Sequence, residues 1–128
     1  MAHSTLSMKR SVLIIEDDDS IRESLEMFLR EEGYEVSSSI DGREGLDLLE
    51  TRFSGTSPRP GLILLDMNMP KMTGQEFLVI QKNHPDLKNI PVAAFTAANK
   101  TKPELADAFI RKPVMIEDLL SIVEKYCG

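Results

Sequence analysis

Two kinds of apolar segment alternate along the chain. Ser11–Ile15 (SVLII), Leu62–Leu65 (LILL) and Pro91–Phe95 (PVAAF) are short runs, apolar at successive positions. They are too short for helices and read as strands buried on both faces of a parallel sheet. Tyr34–Ile40 is less apolar, which suits a strand nearer an edge, and Ala108–Arg111 is a fifth short strand. Between the strands the spacing turns helical. Ser20–Glu31 places Ile21, Leu25, Phe28 and Leu29 on one face, with a capping-box pattern at Ser20 and Glu23 and a stop at Gly33. Arg43–Arg52 follows an Asp41-Gly42 turn and offers Leu46, Leu48 and Leu49 for burial. Gln75–Asn83 points Phe77, Leu78 and Val79 or Ile80 inward, and Ile116–Tyr126 carries Ile116, Leu119, Leu120 and Val123 on one stripe. Lys102–Asp107 has room only for a very short helix, with Pro103 in its first turn.

Five strand–helix units in this order predict an α/β fold. Right-handed crossovers make it a doubly wound, five-stranded parallel sheet with helices on both faces and the fourth helix shortened. A length of 128 residues fits one domain. Residues 1–9 have no apolar core and read as a flexible leader, which leaves residues 10–128 as the folded unit. Ser54–Gly61 (SGTSPRPG) is a surface loop by composition.

Composition narrows the function. Twenty-one acids against fifteen bases give a net charge of −6, the wrong sign for a domain that wraps a phosphate backbone, so direct nucleic-acid binding is not expected. Two Tyr, five Phe and no Trp are too few to stack single strands. A single cysteine, Cys127, excludes an internal disulfide and a thiolate metal cluster and reads as an incidental terminal residue. No apolar run approaches the roughly 20 residues needed to cross a bilayer, so membrane insertion is not expected and the default location is the cytoplasm.

In a doubly wound sheet the ligand crevice lies beyond the carboxyl ends of the strands. Glu16, Asp17, Asp18 and Asp19 follow the first strand, Asp66 the third, Thr96 the fourth, and Lys112 the fifth. Carboxylates brought together stay ionised only beside a compensating positive charge. Lys112 is one source and a bound cation another. Hard oxygen ligands without thiols point to Mg²⁺. An aspartate beside Mg²⁺ can attack phosphorus to give an acyl phosphate, with Thr96 and Lys112 on the remaining phosphoryl oxygens. Asp18 and Asp19 read instead as helix-capping acids.

These segments resemble the receiver domain of bacterial response regulators, the CheY-like phosphoacceptors of two-component systems. The matching stretches are VLIIEDD (Val12–Asp18), LLDMNMPKMTG (Leu64–Gly74), FTA (Phe95–Ala97) and FIRKP (Phe109–Pro113), in the family's order. The resemblance implies that Asp66 is phosphorylated by a sensor histidine kinase or phosphotransfer protein. It implies that Glu16 and Asp17 hold Mg²⁺ with Asp66 and the Asn68 backbone carbonyl, Asp17 being the more direct ligand. Thr96 and Lys112 become the switch hydroxyl and lysine, Phe109 the aromatic that moves on activation, and Pro113 a cis proline. A downstream effector protein or fused output domain would read the switch. The domain would assist its own phosphorylation and dephosphorylation and turn over no separate product.

Two departures stand out. Thr96 and Lys112 are 16 residues apart, which shortens the intervening helix by roughly a turn and a half. The Ser54–Gly61 loop is long. Two other functions fit parts of the pattern. A Mg²⁺-dependent phosphohydrolase using Asp66 would need a second acid two residues on, where this chain has Asn68. A receiver-like interaction module that works without phosphorylation would not need the full set Asp17, Asp66, Thr96 and Lys112.

Overall fold

The structure, a computed structural model, describes residues 10–51 and 58–128. The expected leader, the end of the second helix at Arg52 and the first half of the Ser54–Gly61 loop lie outside the described residues. The elements run β1 (Val12–Ile15), α1 (Asp19–Glu31), β2 (Val36–Ser39), α2 (Gly42–Thr51), β3 (Leu62–Asp66), α3 (Gly74–Lys82), β4 (Val92–Thr96), β5 (Ala108–Arg111) and α4 (Ile116–Cys127). The strands form one parallel sheet in the order β2-β1-β3-β4-β5. The order reverses between β1 and β3, which opens a crevice at their carboxyl ends.

Side chains alternate across each strand and divide the core in two. Leu13, Ile15, Ile63, Leu65, Val92 and Ala94 face α2 and α3, where Leu46, Leu49, Phe77 and Leu78 meet them. Val12, Ile14, Leu62, Leu64, Ala93 and Phe95 face α1 and α4, against Leu25, Leu29, Leu119 and Val123. Burial on both faces explains the unbroken apolar runs of β1, β3 and β4. The less apolar β2 is an edge strand, as its composition predicts. Among the described residues, no helix is long and apolar enough to cross a membrane.

Local signals hold in some places and fail in others. Gly33 ends α1 at φ 95. Its N–H reaches Arg30 O at 3.0 Å and the Tyr34 N–H reaches Leu29 O at 3.1 Å, the paired bonds of a Schellman stop. The start of α1 differs from the Ser20 capping box. Asp18 is the N-cap and accepts from the Ile21 N–H at 3.0 Å, because a carboxylate two residues earlier already reaches the free N–H groups. The capping box occurs in α3, between Thr73 and Glu76. Val79 and Ile80 stay exposed on that helix. The buried position goes to Gln81, whose amide nitrogen donates to the carbonyls of Leu87 (2.6 Å) and Ile90 (3.1 Å) and closes the α3–β4 loop. Ile116 is exposed on α4, and the buried stripe is Leu119, Val123 and Cys127. Cys127 is thus a core residue, and burial pushes its thiol up to about 11.

The expected short helix at 102–107 does not form. The β4–β5 connection is a run of turns with one helix-like bond, Ala106 N–H to Pro103 O at 3.1 Å. Ala106 and Leu105 still cover the sheet. Asp107 pins the connection by accepting from the Val92 N–H (2.8 Å) and Lys82 Nζ (3.3 Å). Too few residues remain for a helix once the chain must return the length of β4 to start a parallel β5.

Candidate functional site

The carboxyl ends of β1, β3, β4 and β5 bring together residues far apart in sequence. Glu16 follows β1 directly and is 2% exposed; Asp66 ends β3 and is also 2% exposed; Asp17 is exposed at the rim. One carboxylate oxygen from each of Glu16, Asp17 and Asp66 lies within 4.8 Å of the other two. Lys112 reaches in from the end of β5, its Nζ donating to Asp66 Oδ1 at 2.8 Å. The Asn68 N–H donates to the same oxygen at 3.1 Å, so the loop after β3 wraps back on the carboxylate.

That loop is held tight at Gly74. A Cβ there would lie 2.6 Å from Met67 Cα and 3.0 Å from Asp66 O, so only glycine lets α3 begin this close to the end of β3. Lys71, at φ 66, provides the left-handed turn between them.

The electrostatics follow from burial. Glu16 is raised from 4.5 to about 7, chiefly because the protein removes its charged form from water. The Asp18 N–H, donating to Glu16 Oε2 at 3.1 Å, opposes this; Asp66 reinforces it, and Lys112 opposes it again. Glu16 Oε1 is buried without a hydrogen-bond partner, and so is the Thr96 hydroxyl. Buried polar atoms in native proteins nearly always have a partner. An orphaned carboxylate oxygen beside two further carboxylates fits a hard, oxygen-seeking divalent cation.

The structure therefore brings Glu16, Asp17, Asp66, Asn68, Thr96 and Lys112 to one end of the sheet. Phe109 sits apart on β5, half-buried against the α2–α3 side, with the Arg111 guanidinium 5.1 Å from its ring centre. Lys112-Pro113 is a cis peptide. His84 lies away from the cluster and pairs with Glu50 at 3.6 Å. Reading α1 only by its apolar face passes over Arg22, whose guanidinium bonds the Glu16 carbonyl (3.0 Å) and Asp19 (2.5 Å). The spacing of Asp19 and Arg22, one helical turn apart, is the signal that could have found it.

Sheet and crevice together define an α/β domain with an acidic site at the switch point of a parallel sheet, and comparison with known proteins says which one. The chain belongs to the response regulator receiver domain family, whose profile matches residues 12–124. It is therefore a receiver domain of two-component signalling. It is 32% identical to the polar-differentiation response regulator DivK of Brucella anthropi, over 94% of this chain and 98% of DivK. It is 33% identical to response regulator MprA of Mycolicibacterium vanbaalenii over 86% of this chain, but spans only 47% of MprA. Among solved structures it resembles the Mn(2+)-bound form of response regulator Rcp1, at 31% identity and a TM-score of 0.70, covering 91% of this chain and 90% of that one.

Proposed function

We propose that this domain, residues 10–128, accepts a phosphoryl group on Asp66 from the phosphohistidine of a sensor kinase or phosphotransfer protein and thereby switches a partner-binding surface. In the transfer, a carboxylate oxygen of Asp66 forms the new O–P bond as the N–P bond breaks, and the histidine nitrogen keeps the electron pair. The observation that carries this reading is the convergence on Asp66. One buried carboxylate has Lys112 on one oxygen, two further carboxylates beside it, and the unpaired Thr96 hydroxyl at the neighbouring strand end.

Glu16, Asp17, Asp66 and the backbone carbonyl of Asn68 would hold Mg²⁺; the Mn²⁺ bound to the related Rcp1 supports a divalent ion here. A bound Mg²⁺ would offset the negative charge that the phosphoryl oxygens bring to the carboxylates. Lys112 gives up its bond to Asp66 and turns to a phosphoryl oxygen, and the Thr96 hydroxyl donates to another. Added charge of roughly −2 thus pulls on the ends of β4 and β5. Phe109, packed without a hydroxyl, follows by repacking alone. The domain assists its own phosphorylation and dephosphorylation and is a switch rather than an enzyme with a separate product.

A groove of about 500 Å³ between α1 and α4 opens beside Glu16 and Lys112 and is rimmed by Ile21 and Ile116. It would offer the donor protein an apolar seat beside Glu16 and Lys112. We place the domain in the cytoplasm, where kinases have ATP, with an effector protein or fused output domain downstream. Beryllium fluoride with Mg²⁺, a mimic of the acyl phosphate, tests the switch. Amide NMR shifts should change at Asp66, Thr96 and Lys112 and into β5. An unchanged spectrum, or equal changes in Asp66→Ala, would defeat the proposal.

A further inference from the structure

We propose that Arg22 is the positioning residue of the acidic turn. Its guanidinium holds residues 16–19 in the shape that lets Glu16 and Asp17 meet a divalent cation beside Asp66. The inference rests on the divalent-cation reading of the site.

Arg22 lies on α1 with its side chain only 12% exposed, although its partner Asp19 is 77% exposed. Arginines are mostly exposed and are seldom withdrawn from solvent unless paired. One guanidinium nitrogen donates to the Glu16 carbonyl at 3.0 Å, and the other donates to Asp19 Oδ1 at 2.5 Å. A single planar group therefore ties Glu16, the residue after β1, to Asp19, the first residue of α1. Asp17 and Asp18 lie between the tied ends. Asp18 is occupied, its N–H on Glu16 Oε2 and its carboxylate on the Ile21 N–H. Asp17 is exposed, and the backbone of the turn sets the position from which its side chain reaches the other two carboxylates.

The planar fork is the part that matters. A lysine ammonium keeps the charge but cannot present two parallel donors at a fixed separation. Charge and geometry also act on the cation with opposite signs. A guanidinium near a metal repels it, so its removal as a mere charge would tighten Mg²⁺ binding. Its removal as a brace would weaken binding, as the loss of groups that orient metal ligands does.

The test titrates Mg²⁺ into the full chain at fixed ionic strength, read by amide NMR shifts. Wild type, Arg22→Gln and Arg22→Lys are compared, each with a urea unfolding curve in EDTA. Arg22→Gln should bind Mg²⁺ roughly tenfold more weakly. Arg22→Lys, with its charge intact, should also bind several-fold more weakly. Folded variants that bind Mg²⁺ as tightly as wild type, or more tightly, would overturn the proposal. So would a lower urea midpoint with unchanged Mg²⁺ affinity, the signature of a merely structural arginine. A wild-type chain with no Mg²⁺ response would overturn the divalent-cation reading itself, and the role of Arg22 with it.

Discussion

Replacing Glu16 by Gln should stabilise the metal-free protein at alkaline pH while weakening its hold on Mg²⁺. Burial raises the Glu16 carboxyl from 4.5 to about 7, with Asp66 adding to the effect and the Asp18 N–H and Lys112 opposing it. Between those values the folded chain keeps a proton that the unfolded chain has released. The stability that the protonated Glu16 contributes is therefore fully present below about pH 4.5 and is lost as pH rises through 7. The gap converts to a ceiling of about 3 kcal/mol at 1.36 kcal/mol per pKa unit, shared with the carboxylates that titrate beside it. Gln keeps the shape and an acceptor for the Asp18 N–H but has no proton to lose. Urea unfolding in EDTA, followed by far-UV circular dichroism from pH 5 to 8.5, measures the difference. Wild type should lose about 1–3 kcal/mol relative to Glu16→Gln across that range, and saturating Mg²⁺ should restore it by favouring the ionised form. Parallel curves, or a wild type that gains on the variant as pH rises, would show that folding does not raise the Glu16 carboxyl.

Two further substitutions probe how the site is held. Gly74→Ala should cost about 1–3 kcal/mol, because its methyl would press on the backbone of Met67 and Asp66; urea unfolding checks the cost, and a variant as stable as wild type would show that the approach is not tight. Asp18→Ala removes the N-cap of α1 and should cost about 1 kcal/mol with no change in the pH profile assigned to Glu16; a larger loss confined to high pH would point to a role in the carboxylate cluster instead.

The strand ends were the most legible part of the sequence, for a physical reason. Buried parallel strands need unbroken apolar runs, so the first acid after VLII or LILL marks the carboxyl end of the strand, as Glu16 and Asp66 do. Convergence then follows from topology alone. Capping was less legible, because Asp18 and Ser20 both suit an N-cap and only the geometry of the turn chooses between them. Exposure along short helices was also ambiguous. Val79 and Ile80 are apolar yet exposed, while Gln81 is polar and buried because two loop carbonyls need its amide. The β4–β5 connection was correctly read as short, but helix and turns differ there by only a few hydrogen bonds. Cys127 looked incidental because its partners, such as Val12 and Tyr34 in the same core, lie at the other end of the chain.

Asp66 is the residue we propose to carry the phosphoryl group. Incubation of the full chain with acetyl phosphate and Mg²⁺, read by intact mass, tests this. Wild type should gain the mass of one phosphoryl group, Asp66→Asn should gain none, and EDTA should abolish the gain in wild type. A wild type that stays unmodified, or an Asp66→Asn variant that is modified to the same extent, would contradict the account.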